Sequence, residues 1–480
     1  MDLPRLSFGN VIDGKLQPSA ITVTATDPRT QEPLWPIPAA SERDLNLAVT
    51  AAGTAFQKWS KVSIQERQKA VHGLVKVLED NREMVGHIVS RETGKSHFMG
   101  DLEVEHSLGF LRFNASQDLP DEVVFEDDTV QISTTYVPLG VVGAICPWNF
   151  PLILATAKIA AALVTGNCII VKPSPFTPYS IMKFAELATD ILPPGVFQVL
   201  NGSNEIGASM TCHPNIQKIS FTGSTKTGKI IMKSCAGTLK RITLELGGND
   251  ASIVLPDVDV DSVATEVAAG CFFNSGQMCV ATKRVYVHER IYDPFLRKFL
   301  EAVRALPFTQ DPGVPTVLGP VQNKLQYGIV QNIIQDCKQN NYKFALGGSD
   351  IQSGQFIAPC VVDNPPDDSL VVQEEQFGPI IPLLKWSSED ELLRRANNTK
   401  SGLGACVWAK DLREAKRIGS QIHAGSVWLN SFEKPHPYGY LAGHKESGVG
   451  GEWGKQGLLS YCDAQTFHAY KGSKIIKSRH

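Results

Sequence analysis

The segment Asn274–Ala281 (Asn-Ser-Gly-Gln-Met-Cys-Val-Ala) carries the side chain best suited to covalent chemistry, the thiol of Cys279. The segment lies between an apolar run and a β-type run, and its Asn, Ser and Gly are typical of turns. A thiol attacks carbon as the thiolate, which requires a polar and partly accessible environment. Backbone N–H groups around Gly276 and Cys279 could also face an oxyanion beside the sulfur. Taken alone, Cys279 fits a small buried apolar residue as well as a nucleophile, so the other motifs must decide.

Two further segments place polar side chains at the ends of strand-type runs. Asn149 stands in Cys146–Pro151, between Trp148 and Phe150 and flanked by two prolines, which suits an amide donor aimed at an oxyanion. Glu245 ends the run Leu244–Gly248 beside two glycines and could act as a general base with room to move. Each also has a simpler interpretation, as a turn residue or a solvated strand end.

A third and a fourth segment have the residues of a nucleotide site. Lys172 and Ser174 leave a strand-type run and could reach ribose or phosphate oxygens. The glycine turn Phe221–Lys229 opens a helix, whose free N–H groups favour a diphosphate. This turn nearly fits a P-loop, but Ile230 occupies the position that needs a Mg²⁺-binding Ser or Thr. Hydrolysis of a nucleoside triphosphate is therefore disfavoured.

The elements that must position these segments alternate between apolar strands and amphipathic helices from residue 141 onward. Strands are predicted at Val141–Ile145, Cys168–Val171, Phe197–Leu200, Lys218–Phe221 and Ile242–Leu246, and helices at about 152–164, 177–191, 204–211 and 226–236. Strands joined by single helices form a parallel sheet, and ligands lie at the carboxyl ends of its strands. A second α/β region begins near 248, with strands at Ala251–Leu255, Arg284–His288, Ile380–Trp386 and Ser426–Leu429.

Composition and charge exclude several classes of protein. The net charge of −3 over 480 residues gives no support for nucleic-acid binding, and no run of about 20 apolar residues could span a bilayer. The ten cysteines form no C-x-x-C pair and have no histidine at metal-ligand spacing, so neither a disulfide framework nor a metal site is expected. These features predict a cytoplasmic protein with reduced thiols.

Together, a thiol, an amide donor, a carboxylate base and a diphosphate cradle describe acyl transfer coupled to a nucleotide redox cofactor. The chain resembles the aldehyde dehydrogenase superfamily over nearly its whole length. The resemblance rests on six motifs in family order: Pro147–Pro151, Lys172–Ser174, Phe221–Thr225, Leu244–Gly248, Gly276–Cys279 and Glu374–Pro379.

The resemblance implies an α/β fold with three parts, and an assembly of two or four copies. A Rossmann-like parallel-sheet domain for NAD(P) is expected at 1–115 and 138–247, and an α/β catalytic domain at 248–447. A small β oligomerisation flap with a C-terminal segment is expected at 116–137 and 448–480. Such flaps pair between subunits, so a homodimer or homotetramer is expected.

The resemblance also implies a mechanism of aldehyde oxidation. Cys279 would attack the aldehyde, and the side-chain amide of Asn149 and the N–H of Cys279 would hold the oxyanion. After hydride transfer, Glu245 would activate the water that hydrolyses the thioester. Lys158 and Glu452 match a pair that serves as a proton-release path. Alternatives are a semialdehyde dehydrogenase, a coenzyme-A-acylating relative, against which Glu245 speaks, and a non-catalytic protein of the same fold.

The cofactor implied is NAD, with NADP open because Pro175 replaces the glutamate that grips the ribose in many relatives. The implied cofactor-binding residues are Ile145, Pro147, Trp148, Lys172, Ser174, Gly223, Ser224, Leu246, Glu375 and Phe377.

The substrate implied is an aliphatic or aromatic aldehyde. The positions that match the substrate pocket are Phe150, Leu154, Ala157, Met278, Val280 and Phe432. They give a mainly apolar tunnel, widened where Ala157 replaces a bulky aromatic, with no Arg or Lys obviously placed for a substrate carboxylate.

Overall fold

The computed structural model describes residues 6–348 and 354–471. The strands within these ranges are β1 Asn10–Ile12, β2 Lys15–Gln17, β3 Thr22–Thr26, β4 Pro33–Pro38, β5 Glu122–Glu126, β6 Val130–Pro138, β7 Val141–Ile145, β8 Cys168–Lys172, β9 Phe197–Val199, β10 Lys218–Thr222, β11 Arg241–Glu245, β12 Asp250–Val254, β13 Thr282–His288, β14 Phe344–Leu346, β15 Cys360–Asp363, β16 Ile380–Trp386, β17 Ser401–Gly402, β18 Gly404–Trp408, β19 Ser426–Leu429, β20 His444–Lys445, β21 Gly448–Val449 and β22 Cys462–Tyr470.

The α-helices lie between these strands. They are α1 Glu42–Trp59, α2 Ile64–Asp80, α3 Arg82–Thr93, α4 His97–Ala115, α5 Pro151–Val164, α6 Tyr179–Ala188, α7 Asn204–Cys212, α8 Thr225–Cys235, α9 Val260–Phe272, α10 Tyr292–Ala305, α11 Lys324–Gln339, α12 Leu370–Gln373, α13 Glu389–Asn397, α14 Leu412–Gly419 and α15 Gly454–Leu459. The predicted strands and helices are all present, with ends that differ by three residues or fewer.

The first sheet has the strand order β2-β1-β9-β8-β7-β10-β11-β21. Its five central strands, β9 to β11, are parallel, as the single-helix connections predict. The chain moves from β7 outward to β9, then returns to the other side of β7 to form β10. This reversal makes a crevice between β7 and β10 at their carboxyl ends, where ligands bind in sheets of this kind. The antiparallel edge strands β1, β2 and β21 were not predicted.

Helix α5 follows β7 and is buried along all of its faces except near Leu154. Its sequence is apolar nearly throughout, which is typical of a helix enclosed by other elements. Pro151 begins the helix, where a missing N–H costs nothing. The helix is therefore a rigid support directly behind the Asn149 segment.

The second sheet has the order β14-β15-β16-β13-β12-β18-β19 and is parallel except for β14. Strand β13 follows the cysteine segment and is buried along its whole length. A third, antiparallel sheet has the order β22-β6-β5, with β6 and β22 paired from Pro138–Cys462 to Val130–Tyr470. It brings together the two segments that were expected to form a flap, of which residues 472–480 lie outside the described ranges. The α/β fold is thus confirmed. Within the described ranges, no helix is both long and apolar enough to cross a membrane.

Candidate active site

The cysteine segment forms an irregular turn between α9 and β13. Asn274 and Ser275 have left-handed backbone, with φ of 51° and 55°, a conformation that is costly for such residues and is concentrated at functional sites. Gly276 follows at φ 74°, and a Cβ there would lie 2.4 Å from the carbonyl oxygen of Gly378. The turn therefore requires glycine, and it places Cys279 in a partly buried position.

Buried amide groups hold this turn from behind. The Nε2 of Gln277 donates to the carbonyl oxygens of Asn274 and Pro320, both at 3.1 Å. The Oε1 of Gln277 accepts from the N–H of Gln322 at 2.9 Å. The unusual backbone is thus fixed by side chains outside the turn itself.

A buried lysine holds the carbonyl groups around the cysteine. The Nζ of Lys283 donates to the carbonyl oxygens of Met278 at 2.7 Å and Ala281 at 2.8 Å, and lies 3.4 Å from that of Cys279. Lys283 is 1% exposed, and a buried ammonium persists only when it is paired and hydrogen-bonded. The sequence reasoning missed this residue. The available signal was a lysine directly before the predicted strand Arg284–His288.

The environment of the thiol differs from the expectation. Burial raises the pKa of Cys279 to about 12, and the carboxyls of Glu375, Glu245 and Asp250 add to the rise, while Lys283 opposes it. The thiol is partly accessible, as a nucleophile requires, but the residues around it are largely apolar. A thiol whose pKa is raised needs a base or a nearby positive charge, such as that of a bound oxidised cofactor, in order to ionise.

The amide of Asn149 lies directly beside the cysteine segment. Its Nδ2 donates to the carbonyl oxygen of Gln277 at 3.1 Å, which leaves its second N–H for another acceptor. Asn149 and Cys279 line the same cavity. The structure thus brings together the thiol and the amide donor that the sequence singled out.

A buried ion pair that the sequence reasoning missed supports Asn149. The Nζ of Lys95 lies 2.5 Å from Glu103 and donates to the main-chain carbonyl oxygen of Asn149 at 2.7 Å. It also lies 3.7 Å from the centroid of the Phe150 ring. The other oxygen of Glu103 accepts from the N–H of Leu152 at 2.9 Å, in the first turn of α5. In sequence, both charged residues resemble the solvated face of a helix, so only their partners reveal them.

Lys95→Met is expected to lower the free energy of unfolding by about 3 kcal/mol, because it leaves Glu103 buried without its counter-charge. The turnover rate should fall as well, since the carbonyl of Asn149 loses its donor. Lys76→Met is the matched control. It breaks an exposed pair with Asp80 and should cost less than about 1 kcal/mol. Urea unfolding measures both changes, and equal midpoints for the two variants would contradict the assigned role.

Glu245 ends β11 and is 5% exposed. Neither of its carboxyl oxygens has a hydrogen-bond partner within the described residues. Burial raises its pKa well above the usual value, and Glu452 adds to the rise, while Lys158 opposes it. A buried carboxyl without partners is costly to maintain, and a raised pKa in a cleft is typical of a functional acid or base.

Lys158 and Glu452 form the pair expected from the sequence, although 294 positions separate them. Their Nζ and Oε1 atoms are 2.6 Å apart. Lys158 also donates to the hydroxyl of Ser220 at 2.9 Å, and that hydroxyl donates to Glu452. Lys158 and Glu452 are almost completely buried. This hydrogen-bonded chain begins beside Glu245 and could transfer a proton.

An apolar cavity of about 300 Å³ leads to Cys279. Five of the six residues predicted for the substrate pocket line it: Phe150, Leu154, Met278, Val280 and Phe432. The lining residues that the sequence reasoning missed are Leu102, His106, Ile153, Phe273, Glu433, Lys434, Pro435 and Trp453. Glu433, Lys434 and Pro435 belong to a loop without helical or strand periodicity, so no pattern in the sequence indicates them.

Ala157 differs from the other predicted pocket residues. It lies in a separate cavity of about 10 Å³, which Trp453 also lines, and it packs in a cluster with Phe110 and Ile153. Trp453 has a φ of 65°, which no pattern in its segment indicates. The prediction of a tunnel widened at Ala157 is therefore wrong, since neighbouring side chains occupy that space.

The residues predicted to bind the cofactor collect around the crevice of the first sheet. They end or follow β7 (Ile145, Pro147 and Trp148), β8 (Lys172 and Ser174), β10 (Gly223 and Ser224) and β11 (Leu246). The Nζ of Lys172 donates to the carbonyl oxygen of Pro173 at 3.1 Å. Burial lowers the pKa of Lys172 to about 8.

Glu375 and Phe377 face this crevice from the second α/β region. The Oε1 of Glu375 accepts from the N–H of Gly248 at 3.1 Å, and burial raises the pKa of this carboxyl. Phe377 has a φ of 46°, and its ring meets that of Trp148 edge to face at 5.4 Å. Backbone strain at a bulky residue marks a position that the surrounding structure fixes firmly.

Three independent observations indicate that the crevice can hold a dinucleotide. The hydroxyl of Thr222 is buried at the end of β10 and has no hydrogen-bond partner within the described residues. The side chain of Ser224 caps α8, whose first N–H groups lack partners within the helix and attract an anion. A Cβ on Gly228 would lie 2.5 Å from Leu246, so the helix packs closely against the end of β11. Within the described ranges, no cluster of His, Cys, Asp and Glu could hold a metal ion.

Comparisons with known proteins agree with this geometry. Residues 16–467 match the model of the aldehyde dehydrogenase family. An aldehyde dehydrogenase of Fusarium sp. is 41% identical, over 97% of this chain and 99% of that protein.

Solved structures give the same result. The NAD+ complex of aldehyde dehydrogenase from Bacillus cereus has a TM-score of 0.93 and 31% identity, and the match covers 97% of each chain. An NADP-dependent enzyme of E. coli has a TM-score of 0.93 and 29% identity, with 96% of this chain and 98% of that one covered.

Proposed function

The chain belongs to the aldehyde dehydrogenase family, and from that premise we propose that it oxidises an apolar aldehyde to the carboxylic acid through Cys279. Membership supports an aldehyde-oxidising oxidoreductase that uses a nicotinamide cofactor. One observation carries the finer proposal. A thiol and an amide donor line one apolar cavity, and a carboxyl without hydrogen-bond partners lies close enough to the thiol to raise its pKa.

In the first half of the reaction, the thiol of Cys279 gives up its proton to a water molecule, and its sulfur bonds to the aldehyde carbon. The carbonyl oxygen becomes an oxyanion, which accepts hydrogen bonds from the Nδ2 of Asn149 and the N–H of Cys279. The bound nicotinamide supplies an acceptor for the hydride that leaves this carbon. Loss of the hydride with its electron pair restores the C=O bond and leaves a thioester on Cys279.

In the second half, Glu245 takes a proton from a water molecule as the water oxygen bonds to the thioester carbon. The C–S bond breaks, and the acid leaves while the thiolate of Cys279 is regenerated. The proton then passes from Glu245 toward Glu452 and Lys158, which are hydrogen-bonded through buried atoms. The retained base at Glu245 disfavours transfer of the acyl group to coenzyme A.

The crevice residues named above would hold the cofactor. The N-terminus of α8 would bind the diphosphate, Lys172 and Ser174 the adenosine ribose, and Glu375 and Phe377 the nicotinamide ribose and ring. We propose NAD as the preferred cofactor, with NADP accepted because the exposed Pro175 carries no charge against a ribose phosphate.

Pro175→Glu is expected to lower kcat/KM with NADP by about tenfold or more, because like charges placed side by side repel. The value with NAD should change by less than about threefold. Pro175→Gln, which has a similar shape and no charge, serves as the control. Initial rates with each cofactor give the comparison, and an equal loss with both cofactors would mean that residue 175 does not face the ribose.

The proposed function is tested by a panel of aliphatic and aromatic aldehydes, with reduced cofactor measured separately with NAD and with NADP. We expect oxidation of apolar aldehydes and release of the free acid without coenzyme A. Cofactor binding without turnover on any aldehyde would instead indicate a non-catalytic protein of the same fold, and strict dependence on coenzyme A would indicate an acylating enzyme.

The proposal also assigns the parts of the chain to domains. Residues 1–115 and 138–247 would form the cofactor domain, 248–447 the catalytic domain, and 116–137 with 448–480 the flap and C-terminal segment. We propose a homodimer or homotetramer, since the flap sheet exposes the apolar side chains of Val123, Val124, Phe125 and Phe467. A cytoplasmic location is supported by ten cysteines that form no disulfide.

A further inference from the structure

The cavity that leads to Cys279 carries a cation among its apolar lining residues, Lys434. We propose that the preferred substrate is an aldehyde with an apolar body and a carboxylate at its far end, and that Lys434 binds this carboxylate. The inference rests on the proposed function, because the reaction at Cys279 determines which end of the molecule enters first. It also revises the expectation from sequence, in which no lysine was placed for a substrate carboxylate.

The wall of the cavity suits the body of such a molecule. Phe150, Phe273, Met278, Val280 and Phe432 give it a lining of aromatic and aliphatic carbon. Burial of a hydrocarbon chain against this surface contributes about 0.8 kcal/mol for each CH₂ group. The walls therefore favour an apolar chain and offer little that selects its far end.

The position of Lys434 provides that selection. Its side chain is 57% exposed, and its Nζ lies 4.3 Å from the centroid of the Phe432 ring, which is itself part of the wall. The main-chain carbonyl of Lys434 accepts from the indole N–H of Trp428 at 3.2 Å, which fixes the backbone. The ammonium is thus both accessible to solvent and held against the apolar surface.

The present partner of Lys434 is easily exchanged. Its Nζ lies 3.6 Å from a carboxyl oxygen of Glu266, whose side chain is 46% exposed. An exposed pair at this distance is worth only a fraction of a kcal/mol. A substrate carboxylate at the mouth of the cavity can therefore compete for the ammonium.

The remaining ionisable groups of the lining do not oppose an anion. Glu433 is 2% exposed, and its Oε1 accepts from the hydroxyl of Thr282 at 2.8 Å. Burial raises the pKa of Glu433, which favours its neutral form. Burial lowers the pKa of His106, which disfavours its positively charged form. Lys434 is therefore the charge that a substrate meets at this cavity.

The test compares straight-chain aldehydes of equal length that end in a methyl group or in a carboxylate. For the wild-type protein we expect a lower KM for the carboxylate-terminated member. Lys434→Met, which keeps the apolar stem, should raise that KM about three- to fivefold, the value of a partly exposed ion pair. It should leave the methyl-terminated member unchanged. Lys434→Arg should retain the preference.

Glu266→Gln is expected to change the KM in the opposite direction and serves as the matched variant. Removing the competing carboxylate should lower the KM for the carboxylate-terminated aldehyde and leave the methyl-terminated one unchanged. A general disturbance of the structure around Lys434 and Glu266 would change the KM of both substrates in the same direction in both variants. The opposite signs therefore separate charge recognition from folding.

A second readout does not depend on turnover. A dicarboxylic acid of matched length should slow the alkylation of Cys279 by iodoacetamide in the wild-type protein and do so more weakly in Lys434→Met. Oxidation of both aldehydes with equal KM, and equal protection in the two proteins, would overturn the inference and leave the proposed function intact. Protection that depends on Lys434 in a protein that oxidises neither aldehyde would support the subsite and overturn the proposed function.

Discussion

Cys279→Ala is expected to lower the aldehyde-dependent formation of reduced cofactor by at least about 1,000-fold, since no other atom can form the covalent intermediate. Cofactor binding should persist, because the residues of the crevice lie outside the cysteine segment Asn274–Ala281. The measurement is the absorbance of reduced cofactor with a saturating aldehyde, together with a separate titration of NAD by protein fluorescence.

The control for this variant is Cys212→Ala, which removes an exposed thiol at the end of α7 and should leave turnover unchanged. Full activity in Cys279→Ala would refute the mechanism. Equal losses in the two variants would point to a general effect on folding. Because burial raises the pKa of Cys279, alkylation of this thiol in the free protein at pH 7 should be slow. It should become faster once the oxidised cofactor is bound.

Glu245→Gln should separate the two halves of the reaction. The thioester forms but is hydrolysed slowly without a base, so we expect one rapid equivalent of reduced cofactor per site, followed by turnover about 1,000-fold below the wild type. Rapid-mixing measurements record the burst, and mass spectrometry of the quenched protein should show an acyl group on Cys279. The absence of both would mean that Glu245 acts before the thioester forms, as the acceptor of the thiol proton.

The pH dependence of wild-type turnover follows from the raised pKa of Glu245. A general base acts in its deprotonated form, so the rate should increase with pH through a pKa above the usual glutamate value. Glu245→Gln should remove this rising limb. Glu446→Gln is the matched control, because Glu446 is exposed and paired with Lys229 at the surface, and it should keep the wild-type profile.

Sequence reasoning predicted the fold well because its signals are local. The runs Val141–Ile145 and Cys168–Val171 are short and apolar, and a single predicted helix separates them. This arrangement determines a parallel pair almost uniquely. Four of the six motifs end or follow a strand of the first sheet, so their convergence at one edge of that sheet could be expected from the sequence alone. Strands β1, β2 and β21 carry no such signal, because their two or three residues pair with a sheet formed elsewhere in the chain.

The candidate site was predicted less completely than the fold. Lys95 and Glu103 act on Asn149 and Leu152, which are distant in sequence. Lys283 binds the carbonyl oxygens of its near neighbours Met278 and Ala281, but only their turn reveals this. A charged residue is expected to be solvent-exposed until such contacts are known. The burial that raises the pKa of Cys279 is likewise a property of the assembled walls. The prediction for Ala157 was wrong because Phe110, Ile153 and Trp453, which lie far from it or on other turns of the chain, pack around it.

The antiparallel pairing of β21 with β11 has a consequence for how the protein is made. Gly448 lies opposite Glu245, and Glu452 completes the pair with Lys158. A chain emerging from the ribosome has an unpaired edge on β11 and a buried ammonium without its counter-charge until these late residues are synthesised. One late segment, residues 448–452, therefore both covers the edge of β11 and supplies the counter-charge of Lys158.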